Sequence, residues 1–234
     1  MSGSRFEHRY SWIMAIDDEQ SRLQELGILL EQSGFSYGTR SATNLLLLSD
    51  RLSAETLLKL SLAALHTASP DMALNGFERL AGVIGQNGLL SLLTNRRRLG
   101  QCMVLCVASP FLTNLVFWEP SFFTRLFINH ELEQSRTRQE LLERLLESIP
   151  ASIDLPGLMK KLRIFKRFEI LRIAARDLNG LAPLEEVTPE LFYLVAYPLQ
   201  QAYETCHRPL SQGQGQPRKT SISVFGPNDL TIIG

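Results

Sequence analysis

The segment from residue 154 to 179 constrains the fold most strongly, because its apolar residues follow a helical period. Five of them recur at steps of four and three residues: Ile164, Phe168, Leu171, Ala175 and Leu178. This spacing places the five side chains on one side of an α-helix and predicts that this side is buried. Pro156 suits a first helical turn, and Asn179-Gly180 is a typical helix end. We therefore predict one helix over about 154–179.

The same helix carries a dense positive charge. Between residues 158 and 176 it holds seven of the chain's 24 basic residues, opposed by Glu169 alone. Lys160, Arg163 and Arg167 share a helix face. Together with Lys166 they are candidate contacts for a phosphate group or an acidic partner surface. The alternative is a solvated face whose side chains cover apolar surface with their stems or pair with carboxylates elsewhere.

The rest of the chain up to residue 207 consists of leucine-rich segments separated by short Ser, Asn, Gly or Pro breaks. This pattern predicts a mainly α protein built as a multi-helix array or bundle. Residues 1–15 show no clean period, and we expect a poorly ordered lead or a short docking segment there. After Thr188-Pro189, a cap signal, we predict a last helix that closes near Cys206.

The composition changes at residue 208. A loop rich in Gly, Gln, Ser and Pro is followed by TSISVF and GPNDLTIIG, which have the β-branched residues and turn chemistry of strands. We therefore predict two domains: a helical region over 1–207, and a linker with the first strand or strands of an incomplete α/β domain over 208–234.

Charge and hydropathy argue against several classes of function. The 24 basic and 24 acidic residues balance to a formal net charge of zero, which argues against bulk attraction to nucleic acid or an anionic membrane. No window of 18 apolar residues and no secretory leader is apparent, so we expect no membrane association and a cytoplasmic location.

The cysteines are candidates for a metal site. Cys102 and Cys106 are one helical turn apart, but a tetrahedral zinc site would also need Cys206 and His207 from a distant segment. We interpret the pair as core thiols and predict no metal site.

Three segments carry strings that are specific to one family. They are SPDMALNGFERLA at 69–81, LGQCMVLCVASPFLTNLVFWEPSFFTRLF at 99–127, and GLMKKLRIFKRFEILRIAARDLNGLAPLEEVTPEL at 157–191. In their residues and in their order along the chain, these segments resemble the helical region that precedes the catalytic domain in the bacterial glutamine synthetase adenylyltransferase / adenylyl-removing enzyme family.

The resemblance implies a nucleotidyltransferase that uses ATP and Mg²⁺. Family enzymes attach AMP to a tyrosine of glutamine synthetase, or remove it by phosphorolysis, under the control of a small nitrogen-signalling protein. In the family, a strand similar to Leu230–Gly234 leads into M-G-K-L-G-G and then D-x-D, and neither motif occurs in this sequence. We therefore assign no catalytic, cofactor-binding or metal-binding residue, and expect a helical N-terminal part that is inactive alone and binds neither ATP nor Mg²⁺ tightly.

The alternative is a free-standing, non-catalytic helical protein. It would bind glutamine synthetase or a nitrogen-signalling protein through the basic face of the 158–176 segment. Nucleic-acid binding by that face is disfavoured, because the total charge is neutral and no reader motif is present.

Overall fold

The computed structural model describes residues 3–150 and 152–214, with side chains for 5–150 and 152–203. Within these residues the chain forms 12 α-helices and no strand, so the prediction of a mainly α protein is confirmed. The chain divides into two compact units, Met1–Glu133 and Gln134–Gly234. The strands predicted after residue 220 lie outside the described residues, and the domain boundary at 207/208 stays a prediction.

The first unit contains nine of the described helices. They are α1 (Gly3–Met14), α2 (Glu19–Ser33), α3 (Gly38–Leu47), α4 (Ala54–Leu65), α5 (Pro70–Val83), α6 (Gly85–Leu93), α7 (Arg96–Ala108), α8 (Pro110–Trp118) and α9 (Ser121–Phe123). The short α9 continues as a π-helical turn at Thr124–Ile128, and a 3₁₀ turn follows at Glu131–Glu133.

The second unit contains α10 (Arg138–Glu147), α11 (Leu155–Leu178) and α12 (Leu184–Gln214). Both α10 and α11 pack against α12. Their shared core consists of Leu141, Leu145, Leu158, Leu162, Phe165, Ile173, Val187, Leu194 and Tyr197. The predicted limits of the 154–179 helix are confirmed, since Asp154 caps α11 and Asn179 ends it.

Helix α1 contradicts the poorly ordered lead predicted for residues 1–15. Phe6, Tyr10 and Ile13 are at most 3% exposed, and α1 packs against α2 and α4. These three residues do recur at helical steps of four and three. The period was obscured by the neighbouring Trp12, which points outward and is 60% exposed.

Helix α12 is longer at both ends than predicted. It begins at Leu184 rather than after Thr188, and it runs for 31 residues to Gln214, through the predicted stop near Cys206 and the start of the predicted loop. Proline breaks a helix locally because it lacks an N–H, but buried contacts along one face offset that loss. Val187, Leu194 and Tyr197 supply such contacts on both sides of Pro189.

In the first unit, α5 is the helix on which its neighbours assemble, since it packs against α3, α4, α6, α7 and α8. Asp71 in its first turn accepts hydrogen bonds from the backbone N–H groups of Ser36 (2.8 Å) and Tyr37 (3.0 Å) and from the Ser41 hydroxyl (2.7 Å). Ser36 and Tyr37 directly precede α3, and Ser41 lies in its first turn. Asp71 therefore connects the start of α3 to α5.

The two cysteines of α7 lie in the core of the first unit. Cys102 is fully buried and Cys106 is 4% exposed. The hydrogen bond with Cys102, and then burial, raise the pKa of the Cys106 thiol. Within the described residues no three His, Cys, Asp or Glu side chains are grouped to hold a metal ion, and the side chains of Cys206 and His207 are not among them.

No single helix in the described ranges is both long and apolar enough to cross a bilayer. Helices α7 and α8 satisfy that test when counted together, with a bend of 112° between them.

Helices α2 and α3 approach each other through glycine. A Cβ atom on Gly38 would lie 2.2 Å from the Gly27 carbonyl oxygen and 2.5 Å from Glu31 Cγ. The first of these atoms belongs to the backbone, so the helices themselves would have to separate. Only glycine fits at this crossing.

We expect Gly38→Ala to lower the free energy of unfolding by about 1–3 kcal/mol, because it overpacks this crossing. The matched control is Gly100→Ala in α7, where an added Cβ meets no atom within 4 Å and should stabilise by up to about 1 kcal/mol. Urea unfolding followed by circular dichroism measures both. Equal stabilities of the two variants would refute the close approach.

Candidate functional site on helix α11

Helix α11 buries a different face from the one predicted. Its buried residues are Leu158, Leu162, Phe165, Phe168, Glu169, Leu171, Arg172, Ile173, Ala175 and Arg176. Of the predicted face, three residues are buried, but Ile164 is half-buried and Leu178 is 42% exposed. At about 100° per residue the true buried face is centred roughly 90° away from the predicted one. The prediction failed because three charged residues lie on the buried face.

Arg172 is fully buried and is bonded on all sides. Its Nε donates to Glu169 Oε2 at 2.8 Å, and its Nη1 donates to the Gln134 backbone carbonyl at 2.9 Å. Its Nη2 donates to Glu190 on α12. One guanidinium therefore connects α11 with α12 and with the segment that precedes α10.

Arg136 completes the network from the segment before α10. Its guanidinium donates to Glu169, and its backbone N–H donates to Glu190 Oε1 at 2.9 Å. We call Arg136, Glu169, Arg172 and Glu190 the buried tetrad. Each side chain is at most 4% exposed. The charges of the two arginines and two glutamates cancel. Buried charges that are not compensated in this way are strongly destabilising.

A further ion pair joins the end of α11 to the start of α12. Arg176 Nη2 donates to Glu186 Oε1 at 2.6 Å and to the Leu181 carbonyl at 3.3 Å. Arg172 and Arg176 are thus two of the seven cations of this segment that serve the interior. For these two, the alternative of pairing with carboxylates elsewhere is the correct one.

The four candidate contacts lie on the opposite side of α11. Lys160, Arg163, Lys166 and Arg167 are all exposed, and at about 100° per residue they fall within an arc of roughly 120°. We call these four residues the cationic surface. Lys160, Arg163 and Lys166 form no ion pair with any described side chain, whereas Arg167 has an interaction within the protein. Such a surface can hold carboxylates or phosphates through charge-assisted hydrogen bonds.

Little in the amino-acid sequence indicates the buried tetrad. Glu169 and Arg172, three residues apart on one helix, are the visible signal. Arg136 lies in a polar stretch of the sequence. Glu190 follows Thr188-Pro189, and acidic residues are common in the first turn of a helix. Their pairing depends on contacts 33 and 54 residues apart along the chain, which no local pattern reveals.

We expect Arg172→Met to lower the free energy of unfolding of the second unit by about 3–5 kcal/mol, because it leaves Glu169 and Glu190 under-compensated in the interior. The control is Lys166→Met on the exposed side of the same helix, which should stay within about 0.5 kcal/mol of the parent. Hydrogen exchange of the α11 amides measures both, even if unfolding is local. Unchanged protection in Arg172→Met would contradict the role of the tetrad.

Comparisons with known proteins give one consistent result. The family model described as GlnE, glutamate-ammonia ligase adenylyltransferase, matches residues 99–234. The bifunctional glutamine synthetase adenylyltransferase/adenylyl-removing enzyme of Nitrosococcus oceani is 32% identical over 194 residues, covering 77% of this chain and 20% of that protein. The protein of the same name from Pseudomonas putida is 28% identical over 234 residues, covering 94% and 24%. That from Pseudomonas aeruginosa is 30% identical over 171 residues, covering 70% and 17%. The chain thus spans about a fifth of the length of these curated relatives. No solved structure matches it significantly.

Proposed function

The chain belongs to the glutamate-ammonia ligase adenylyltransferase family, and we propose that it is the helical N-terminal part of an enzyme that attaches AMP to glutamine synthetase and removes it. The observation that carries the proposal is the family match over residues 99–234, which includes all of α11 and α12. The relatives' names include both adenylylation and its reversal. ATP and Mg²⁺ would serve this chemistry in the whole enzyme.

We propose that the catalytic groups lie outside this chain. Nucleotidyl transfer needs a turn that holds the triphosphate and paired carboxylates that hold Mg²⁺. The sequence contains neither M-G-K-L-G-G nor D-x-D, and the carboxylates Glu169 and Glu190 are occupied by arginines. The role of this chain is therefore to fold around the tetrad and to present surfaces to partners.

The cationic surface is the part that we assign to partner binding. The whole chain is formally neutral, so electrostatic recognition depends on local clusters of charge. Four exposed cations on one side of a rigid helix offer such a cluster, and an acidic surface of glutamine synthetase or of a small nitrogen-signalling protein would complement it. The bonds of the tetrad hold the other side of α11 in the interior. They therefore keep the four cations exposed to solvent.

We expect the double variant Arg163→Glu/Lys166→Glu to weaken binding to glutamine synthetase or to the signalling protein by about tenfold or more, mainly through slower association. Arg167 is left unchanged because it has an interaction within the protein. The control is Arg40→Glu/Arg96→Glu, which reverses two exposed cations of the first unit with the same change in net charge. Surface plasmon resonance at two salt concentrations measures both. Equal losses in the two double variants would exclude a specific role for the cationic surface.

We expect the purified chain to transfer no AMP to glutamine synthetase in the presence of ATP and Mg²⁺. Incorporation of radiolabel from α-labelled ATP measures this, with a full-length relative as the positive control. Incorporation above the level of a sample without the chain would show that it holds a catalytic centre of its own, against the proposal.

The second candidate is a free-standing helical protein that binds the same partners without catalysis. The exposed cationic surface favours it, because binding through that surface requires no catalytic domain. The mass of the native polypeptide separates the two candidates. A species of 26.4 kDa in the source cells would support the free-standing protein, and a much heavier one the enzyme.

A further inference from the structure

Two large apolar side chains lie beside the cations on the exposed side of helix α11. Leu155 is 49% exposed and Met159 is 47% exposed. With Arg163 and Lys166 they recur at steps of four, four and three residues, so the four side chains fall within an arc of about 80°. We call Leu155, Met159, Arg163 and Lys166 the mixed row. It extends over about 17 Å, with its apolar half at the start of the helix and its cationic half in the turns that follow.

The chemistry of the mixed row narrows the class of partner. Phosphate groups, whether free or in nucleic acid, would pair with the two cations but would leave Leu155 and Met159 in water. A purely apolar partner would remove the hydration of the cations without replacing it. A partner that offers apolar side chains beside carboxylates suits both halves, because burial of apolar surface and charge-assisted hydrogen bonds then act together.

We propose that the mixed row is the docking site of an acidic amphipathic α-helix of the partner protein. This inference rests on the proposed function, in which the cationic surface binds a protein, and it specifies the segment that is bound. Successive members of the row lie about 4.5–6 Å apart along the axis, and residues on one face of a second helix recur at the same spacing. Two apolar residues and two carboxylates on such a face would therefore meet the row member by member. The thioether of Met159 is flexible and adapts to the shape of its neighbours.

A membrane is the other class of partner that combines apolar and anionic groups, and the structure disfavours it. A helix that lies in a lipid interface inserts a broad apolar face. Helix α11 instead turns its larger apolar face into the core of the second unit, through Leu158, Leu162 and Phe165 among others. The mixed row offers lipid two apolar side chains in a single line, which fits a contact with another helix better than insertion into a bilayer.

Peptide binding to the full chain tests the proposal. The probe is a synthetic helical peptide that carries two leucines one turn apart and two glutamates one turn apart on the same face, prepared in both orders. A second peptide has glutamine in place of the leucines. In the chain, Leu155→Gln/Met159→Gln makes the apolar half of the row polar without loss of helix propensity. The matched control is Met72→Gln/Leu90→Gln, which changes a methionine and a leucine of the first unit that are 42% and 48% exposed. Fluorescence anisotropy measures binding, and circular dichroism verifies that each variant is folded.

We expect one of the two leucine peptides to bind the unaltered chain, and Leu155→Gln/Met159→Gln to weaken that binding about tenfold, mainly through faster dissociation. The control variant should stay within about twofold of the unaltered chain. The glutamine peptide should bind the unaltered chain and Leu155→Gln/Met159→Gln equally weakly, because one side of the apolar contact is already missing in each case.

Equal binding of the leucine peptide to the unaltered chain and to Leu155→Gln/Met159→Gln would overturn the proposal, and so would failure of both leucine peptides to bind. Neither result would remove the proposed function, which depends on the separate loss of partner binding in Arg163→Glu/Lys166→Glu. Cosedimentation with phosphatidylglycerol vesicles tests the membrane. We expect no binding to the vesicles, and binding that Leu155→Gln/Met159→Gln abolishes would assign the mixed row to lipid and overturn the proposal as well.

Discussion

The second unit depends on a buried carboxylate, Glu169, which is held between two arginines. A lone carboxylate in this position would be destabilised by several kcal/mol through loss of hydration. Arg136 and Arg172 offset that loss only when the segment before α10, helix α11 and helix α12 are all in place. Apolar packing alone tolerates small rotations of a helix, whereas these directional bonds do not. The tetrad therefore fixes the rotation of α11 about its own axis.

This rotation determines which cations reach solvent. The segment 158–176 contains seven, and a shift by one residue would turn α11 by about 100°. In one direction such a turn would bring Lys166 towards the interior, and in either direction it would move Arg172 away from Glu190. Because the bonds of Arg172 forbid that shift, the cationic surface is a consequence of the interior rather than an independent feature. The buried ion pairs on one side of α11 therefore determine which cations are exposed on its other side.

The same interactions explain which parts of the structure were predictable from the sequence. The limits of α11 were predictable because they rest on local chemistry, namely Pro156 in its first turn and Asn179 at its end. The buried face of α11 was not, because apolar periodicity assigns Glu169, Arg172 and Arg176 to the outside. Helix α1 was missed because one outward Trp12 broke its pattern. Helix α12 was predicted too short because tertiary packing overrides its prolines. The cationic surface was located correctly as exposed residues, but its basis in the tetrad depends on partners far apart in the chain.

Helix α12 links the two external surfaces of the second unit. Glu190 anchors its inner side to Arg172 and to the Arg136 backbone, and that anchoring turns Leu191, Val195 and Leu199 outward. The same four side chains that orient the cations of α11 thus also orient these exposed apolar side chains of α12. The two surfaces differ in chemistry: the one on α11 is cationic, and the one on α12 is apolar. A single buried network therefore determines which charged and which apolar side chains this unit exposes.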